Sequence, residues 1–133
     1  MGERRPTVRI MIPAGLRYTR EHVWVRPDKG FVTLGITHYA QDKMGDIVFV
    51  DLPDIDRKVK AGEDIVTLET VDGSSEMSCP VSGTVTEVNE ELIQHPEKIN
   101  ESPYEDGWIL KLKIGSADLS KLMDAAAYQS FLG

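Results

Sequence analysis

The chain has one cysteine, Cys79, among its 133 residues. No disulfide can form within it, and no cysteine-based metal site can be built. A reducing, cytoplasmic setting fits that count. Long hydrophobic runs are missing as well. Near the N-terminus, Val8, Ile10, Met11 and Ile12 are too few to span a membrane or to make a signal-peptide core. Positive charge is in deficit: 15 lysines and arginines face 22 aspartates and glutamates, for a net charge of −7. An acidic surface disfavours non-specific binding to nucleic acid phosphates and anionic lipid, so neither nucleic acid nor membrane is expected as a partner. It suits docking on basic protein surfaces.

Catalytic signatures are also lacking. No G-x-S-x-G elbow frames Ser74 or Ser75, and no glycine-rich loop of the phosphate-binding kind opens a helix. His22, His38 and His95 share no ligand-like spacing. Asp72, Ser74 and Glu76 alternate and offer oxygens of the type hard cations take, but a calcium loop needs more ligands. Neither an activity of the chain's own nor a metal site is expected.

What is present is a series of short strand-like runs separated by turn residues. The apolar and β-branched content predicts strands at 22–26, 31–36, 46–51, 64–71, 76–79, 84–89 and 108–114. A turn is expected over Pro27–Gly30, another over 59–63, a hairpin turn over Asp72–Ser75, and a further one over Pro80–Gly83. Thr37 is placed to cap a short helix through Lys43, with Gly45 to end it. The polar stretch 90–106 reads as a surface loop with one helical turn. Towards the end the period changes. Leu119, Leu122, Met123 and Ala126 fall on one helical face, and Asp124 is placed to cap a second helix presenting Ala127, Tyr128, Phe131 and Leu132 to the core. Mainly β structure with a helical tail argues for a sandwich or barrel closed by a C-terminal helix. Residues 1–15 read as an arm, either flexible or a short extra strand, and 16–133 as a single domain.

Several words of the sequence point further. Tyr18-Thr19-Arg20-Glu21-His22-Val23-Trp24-Val25, Gly35-Ile36-Thr37-His38-Tyr39-Ala40-Gln41, Gly45-Asp46-Ile47-Val48-Phe49-Val50-Asp51-Leu52-Pro53, Pro80-Val81-Ser82-Gly83, Ile99-Asn100-Glu101-Ser102-Pro103-Tyr104 and Gly107-Trp108 stand in this order. In sequence they resemble the H protein of the glycine cleavage system, from about residue 16 to the end. The resemblance implies a barrel-sandwich hybrid, the lipoyl-domain-like fold, with a short helix after the second strand and a C-terminal helical tail. It implies a carrier rather than an enzyme. In that family a lipoyl group sits on a lysine at a hairpin tip and moves an aminomethyl group from glycine decarboxylase to aminomethyltransferase, with reoxidation by dihydrolipoamide dehydrogenase.

The match departs at the site itself. Where the family reads Glu-Ser-Val-Lys, this chain reads Glu69-Thr70-Val71-Asp72, followed without a gap by Gly73-Ser74-Ser75-Glu76. Asp72 therefore stands in the position of the lipoyl-lysine, and no lipoyl cofactor is expected. The family glutamate that the resemblance associates with the loaded arm is Val23 here, and the preceding serine is Glu21, while His22 remains as a cleft candidate. The leading expectation is a non-lipoylated paralogue acting through protein–protein contact, with glycine decarboxylase, aminomethyltransferase, dihydrolipoamide dehydrogenase or lipoate-handling enzymes as partners. A working H protein is the alternative, and a divergent metal-binding or enzymatic module is a third. Trp24 and Trp108 read as core residues at strand positions. Cys79 reads as an inert small side chain, since no lysine or arginine of the hairpin would lower its pKa.

Overall fold

The computed structural model describes residues 9–115 and 119–133. Nine strands and four α-helices succeed one another: β1 Arg17–Tyr18, β2 Val23–Asp28, β3 Phe31–Ile36, α1 His38–Met44, β4 Ile47–Asp51, β5 Lys58–Val59, β6 Asp64–Thr70, β7 Gly73–Ser78, β8 Gly83–Val88, α2 Glu91–Gln94, α3 Lys98–Glu101, β9 Leu110–Lys113 and α4 Ala125–Leu132. They form a six-stranded sheet in the order β1-β2-β3-β9-β8-β5 and a three-stranded sheet in the order β4-β6-β7. Every pairing is antiparallel.

Alternation along the strands explains the sandwich. Val23, Val25, Val32, Leu34, Val85, Leu110 and Leu112 from the large sheet and Ile47, Val50, Ile65, Val66, Leu68 and Met77 from the small one make one apolar core. Charged and hydroxyl residues are left on the outside. A second cluster is aromatic: Leu16, Tyr18, Trp24, Tyr104 and Tyr128 pack together beneath α4. The rings of Tyr18 and Tyr128 stack at 4.7 Å and 5°, and such pairs add about 0.5–1.5 kcal/mol beyond their area.

The caps form as their sequence predicts. Thr37 accepts from the Ala40 N–H at 3.2 Å, and Gly45 closes α1 at φ +83°, donating its N–H to Gln41, a backbone state that a Cβ would disfavour. Asp124 caps α4 by accepting from the Ala127 N–H at 2.8 Å.

Other expectations need correction. The hairpin turn is not Asp72–Ser75: Thr70 pairs with Gly73, so only Val71 and Asp72 lie outside the ladder. Gly73, Ser74 and Ser75 belong to β7, because the buried Leu68 and Met77 fix a register that leaves a two-residue loop. The stretch 90–106 carries two helices rather than one turn, each held by a single fully buried anchor, Leu92 in α2 and Ile99 in α3. The spacing of Leu119, Leu122, Met123 and Ala126 does not make a helix. A 3₁₀ turn spans Leu119–Lys121. Met123 then forms a β-bridge to Tyr18, and Ala126 is exposed. Of the residues assigned to the inner face of α4, Tyr128 is buried, Leu132 is half-buried, and Ala127 and Phe131 are exposed. Two short strands, β1 and β5, lack any clear signal in the sequence, so α1 follows the third strand rather than the second.

The arm, over its described residues 9–15, is neither a strand nor loose. The Met11 N–H donates to His38 Nδ1 at 2.9 Å. The Met11 carbonyl accepts from the Tyr104 hydroxyl at 2.6 Å, and Pro13 O accepts from the Tyr18 hydroxyl. Expectations for residues 1–8 lie outside the described residues. Trp24 is fully buried, whereas Trp108 is only half-buried, with the Lys111 ammonium 5.4 Å from its ring centre.

Candidate functional site

The hairpin β6–β7 projects the two residues that stand where the sequence places the carrier site. Leu68 and Met77 root it in the core. Thr67 donates its hydroxyl to the Glu76 carboxylate across the strands at 3.0 Å. The Thr70 hydroxyl pins the loop, accepting from the Asp72 N–H at 3.3 Å and donating to Gly73 O at 3.3 Å. The loop is thus a rigid tip on a strand ladder. Val71 is 74% exposed, and Asp72 is exposed beside it.

The outer face of the small sheet follows from the register. Phe49, Glu69 and Ser74 form one row, and Asp51, Thr67 and Glu76 the next. Strands β4, β6 and β7 carry four charged residues, Asp51, Asp64, Glu69 and Glu76, and all are acidic. Among the described residues none of these four, nor Asp72, lies in a salt bridge. Val48 and Phe49, 52% and 47% exposed, sit together at a bulge in β4. The small sheet therefore presents acidic charge alone around an exposed apolar pair near the hairpin.

A cleft of about 430 Å³ separates the hairpin from α1. Ser75 and Glu76 line one side, Tyr39, Lys43 and Met44 another, and Glu21 and His22 close it. His22 does not begin β2. It occupies the preceding connection at φ +67°, held there by its N–H donating to Thr19 O at 3.0 Å and by its own carbonyl accepting from the Thr37 N–H at 3.0 Å. Its Nδ1 lies 2.7 Å from the Tyr128 hydroxyl, and its ring packs on Tyr39 at 4.7 Å. Burial pushes the His22 pKa below its ordinary value, against a smaller opposing effect of Glu21.

The two substitutions beside His22 now have positions. Val23 is 1% exposed and belongs to the main core. Glu21 adds a carboxylate to the cleft, which Glu76 also lines. Lys43 was missed from the sequence because it lies 29 residues before Asp72. Its amine stands 5.5 Å from the Tyr39 ring centre on the cleft wall. Cys79 is buried, donates to Val81 O at 2.9 Å, and has its pKa pushed up to about 11 by burial, as expected of an unreactive thiol. Among the described residues no three histidine, cysteine or acidic side chains converge as a metal site would require.

The donor set at the tip does not fit a lipoyl group. Attachment needs an amine to form the amide, and the tip offers a methylated side chain and a carboxylate.

The family model for the glycine cleavage H-protein matches residues 16–133. A glycine cleavage system H protein of Symbiobacterium thermophilum is 47% identical over 121 residues, covering 90% of this chain and 94% of that protein. One from Anaeromyxobacter sp. (strain K) is 48% identical over 122 residues, covering 91% and 95%. The crystal structure of a glycine cleavage system H protein from Mycobacterium marinum superposes with a TM-score of 0.81 at 33% identity, covering 90% of this chain and 97% of that one. No helix of the described residues is long and apolar enough to cross a membrane.

Proposed function

The chain belongs to the glycine cleavage H-protein family, and on that footing we propose that it is a non-lipoylated member acting by docking on partner proteins. The observation that carries this reading is the hairpin tip. Its two loop residues are Val71 and Asp72, and a carboxylate stands where an amine is required. The scaffold around that position is intact: ladder, loop hydrogen bonds and buried roots. The chain has no catalytic role of its own in this reading, and it works in the cytoplasm. Its partners are enzymes that handle the aminomethyl or lipoyl group, namely glycine decarboxylase, aminomethyltransferase, dihydrolipoamide dehydrogenase or a lipoate ligase. The acidic outer face around Phe49 supports docking on a basic surface, since opposite potentials speed encounter and fix orientation.

The test is an intact mass of the native chain after incubation with lipoate, ATP and a lipoate ligase. No lipoyl increment is expected. An increment would replace this reading with that of a working H protein, which the 47% identity to a full-length relative supports. In that case peptide mapping should examine Lys43 first, as the amine that shares the cleft with the hairpin. The metal-binding alternative has no supporting observation among the described residues.

A further inference from the structure

Three hydrogen bonds behind the cleft join into one chain, buried at its Thr37–Tyr128 link and part-buried at its two ends. The Ala40 N–H donates to Thr37 Oγ1 at 3.2 Å. Thr37 Oγ1 lies 2.8 Å from Tyr128 Oη, which lies 2.7 Å from His22 Nδ1. Thr37 and Tyr128 are both 0% exposed. Each hydroxyl has a single proton to give. If Tyr128 donates to His22 Nδ1, Thr37 donates to Tyr128, and every proton has an acceptor. If Nδ1 itself carries a proton, Tyr128 must accept there and turn its own proton towards Thr37 Oγ1. That oxygen already accepts from Ala40, and the Thr37 proton is then left without an acceptor among these bonds. A stranded buried donor is costly.

The three side chains come from three elements far apart in sequence: the β1–β2 connection, the cap of α1, and α4. We infer that His22 and Tyr128 form a proton-controlled latch that holds α4 against the cleft wall while His22 Nδ1 is free to accept, and releases it when that nitrogen is protonated. Release loosens Phe131, whose ring lies 6.0 Å from that of His22, and uncovers Tyr18, on which Tyr128 stacks. The latch is independent of what the hairpin tip carries.

The groups facing His22 are Glu21 from its own connection, Tyr39 and Lys43 from α1, Glu76 from β7 and Tyr128 from α4. Burial acts most strongly on His22 and favours the neutral ring, against a smaller opposing effect of Glu21. The sign follows. The folded-state value lies below 6.5, the ordinary one, so as pH falls the unfolded or released state takes up the proton first. The contribution of the latch is complete above the ordinary histidine value and is lost below it.

The test uses isotope-labelled native chain. Nitrogen NMR at about pH 8 should find Nδ1 of His22 unprotonated and Nε2 carrying the hydrogen. Between about pH 8 and pH 5, hydrogen-exchange protection factors of Tyr128 and its α4 neighbours should fall by roughly tenfold or more, while those of Leu112 in β9 hold. The variant His22→Gln, whose amide oxygen accepts from Tyr128 without titrating, should keep α4 protected at both pH values. A proton on Nδ1 at pH 8, an α4 protection that ignores pH, or an equal fall in His22→Gln would each overturn the latch. The native tautomer and pH profile decide the question even if that variant fails to fold.

Discussion

The indole of Trp24 fills the space that a side chain on Gly35 would need. The two residues are direct partners across β2 and β3, and a Cβ built on Gly35 would stand 2.6 Å from the Trp24 ring carbons. Trp24 is further fixed by its indole N–H donating to Pro103 O at 2.9 Å and by the Arg26 guanidinium 4.8 Å from its ring centre. The aromatic cluster is therefore built on an absent side chain.

Gly35→Ala should accordingly destabilise the fold by about 1–3 kcal/mol, the range for overpacking a close contact. Urea denaturation reads this as a lower midpoint at an unchanged slope. An unaltered midpoint would mean that the indole moves aside freely.

Asp72→Lys should leave stability within about 0.5 kcal/mol of the native chain, because the tip is exposed and forms no ion pair among the described residues. With lipoate and a ligase the variant should gain lipoyl mass at residue 72 while the native chain gains none. Failure of both chains to react would show that the presentation of the hairpin, and not only its attachment atom, has changed.

Three buried phenols contribute to alkaline stability. Burial raises the pKa of Tyr18 and of Tyr104, and pushes Tyr128 up to about 12. Their unfolded value is 10.0, so the unfolded chain releases these protons first. The stability they contribute is whole below pH 10 and is lost as the pH climbs through the folded values. Phenolate absorbance and far-ultraviolet circular dichroism should therefore change together above about pH 10. A phenolate signal from these residues in an otherwise folded chain would contradict the burial argument.

Docking through the acidic face should weaken with salt, since charges at its rim are screened over about 10 Å at 0.1 M. With purified aminomethyltransferase as the probe, the association rate should fall as ionic strength rises, and Glu69→Lys should lower it further. Phe49→Ser should act mainly on dissociation, because an apolar centre contributes contact rather than steering. Complex formation that is insensitive to salt would show that charge does not guide it.

Much of this was written in local sequence. The alternation of Val32 and Leu34 specifies a half-buried strand, Thr37 and Gly45 bracket α1, and Asp124 starts α4, because each signal acts within a few residues. The reading of Asp72 as the position of the family lysine rests on local sequence too, since the words on either side of it resemble the family in order. The helices α2 and α3 were not legible, because a short helix held by one buried residue has no period to display. The two-residue loop was missed since register depends on which side chains are buried, not on turn propensity.

The sequence by itself thus determined the longer strands, the caps of α1 and α4, the family and the absence of an amine at the hairpin tip. The tertiary structure alone decided what faces the cleft. It buries Val23, sets Glu21 and Lys43 on the cleft that the hairpin also lines, and places the Tyr128 hydroxyl on His22 across 106 residues. The physical reason is that caps and alternation are enforced by neighbours along the chain. A cleft wall is enforced by neighbours in space, and these exist only once two sheets have closed over a common core.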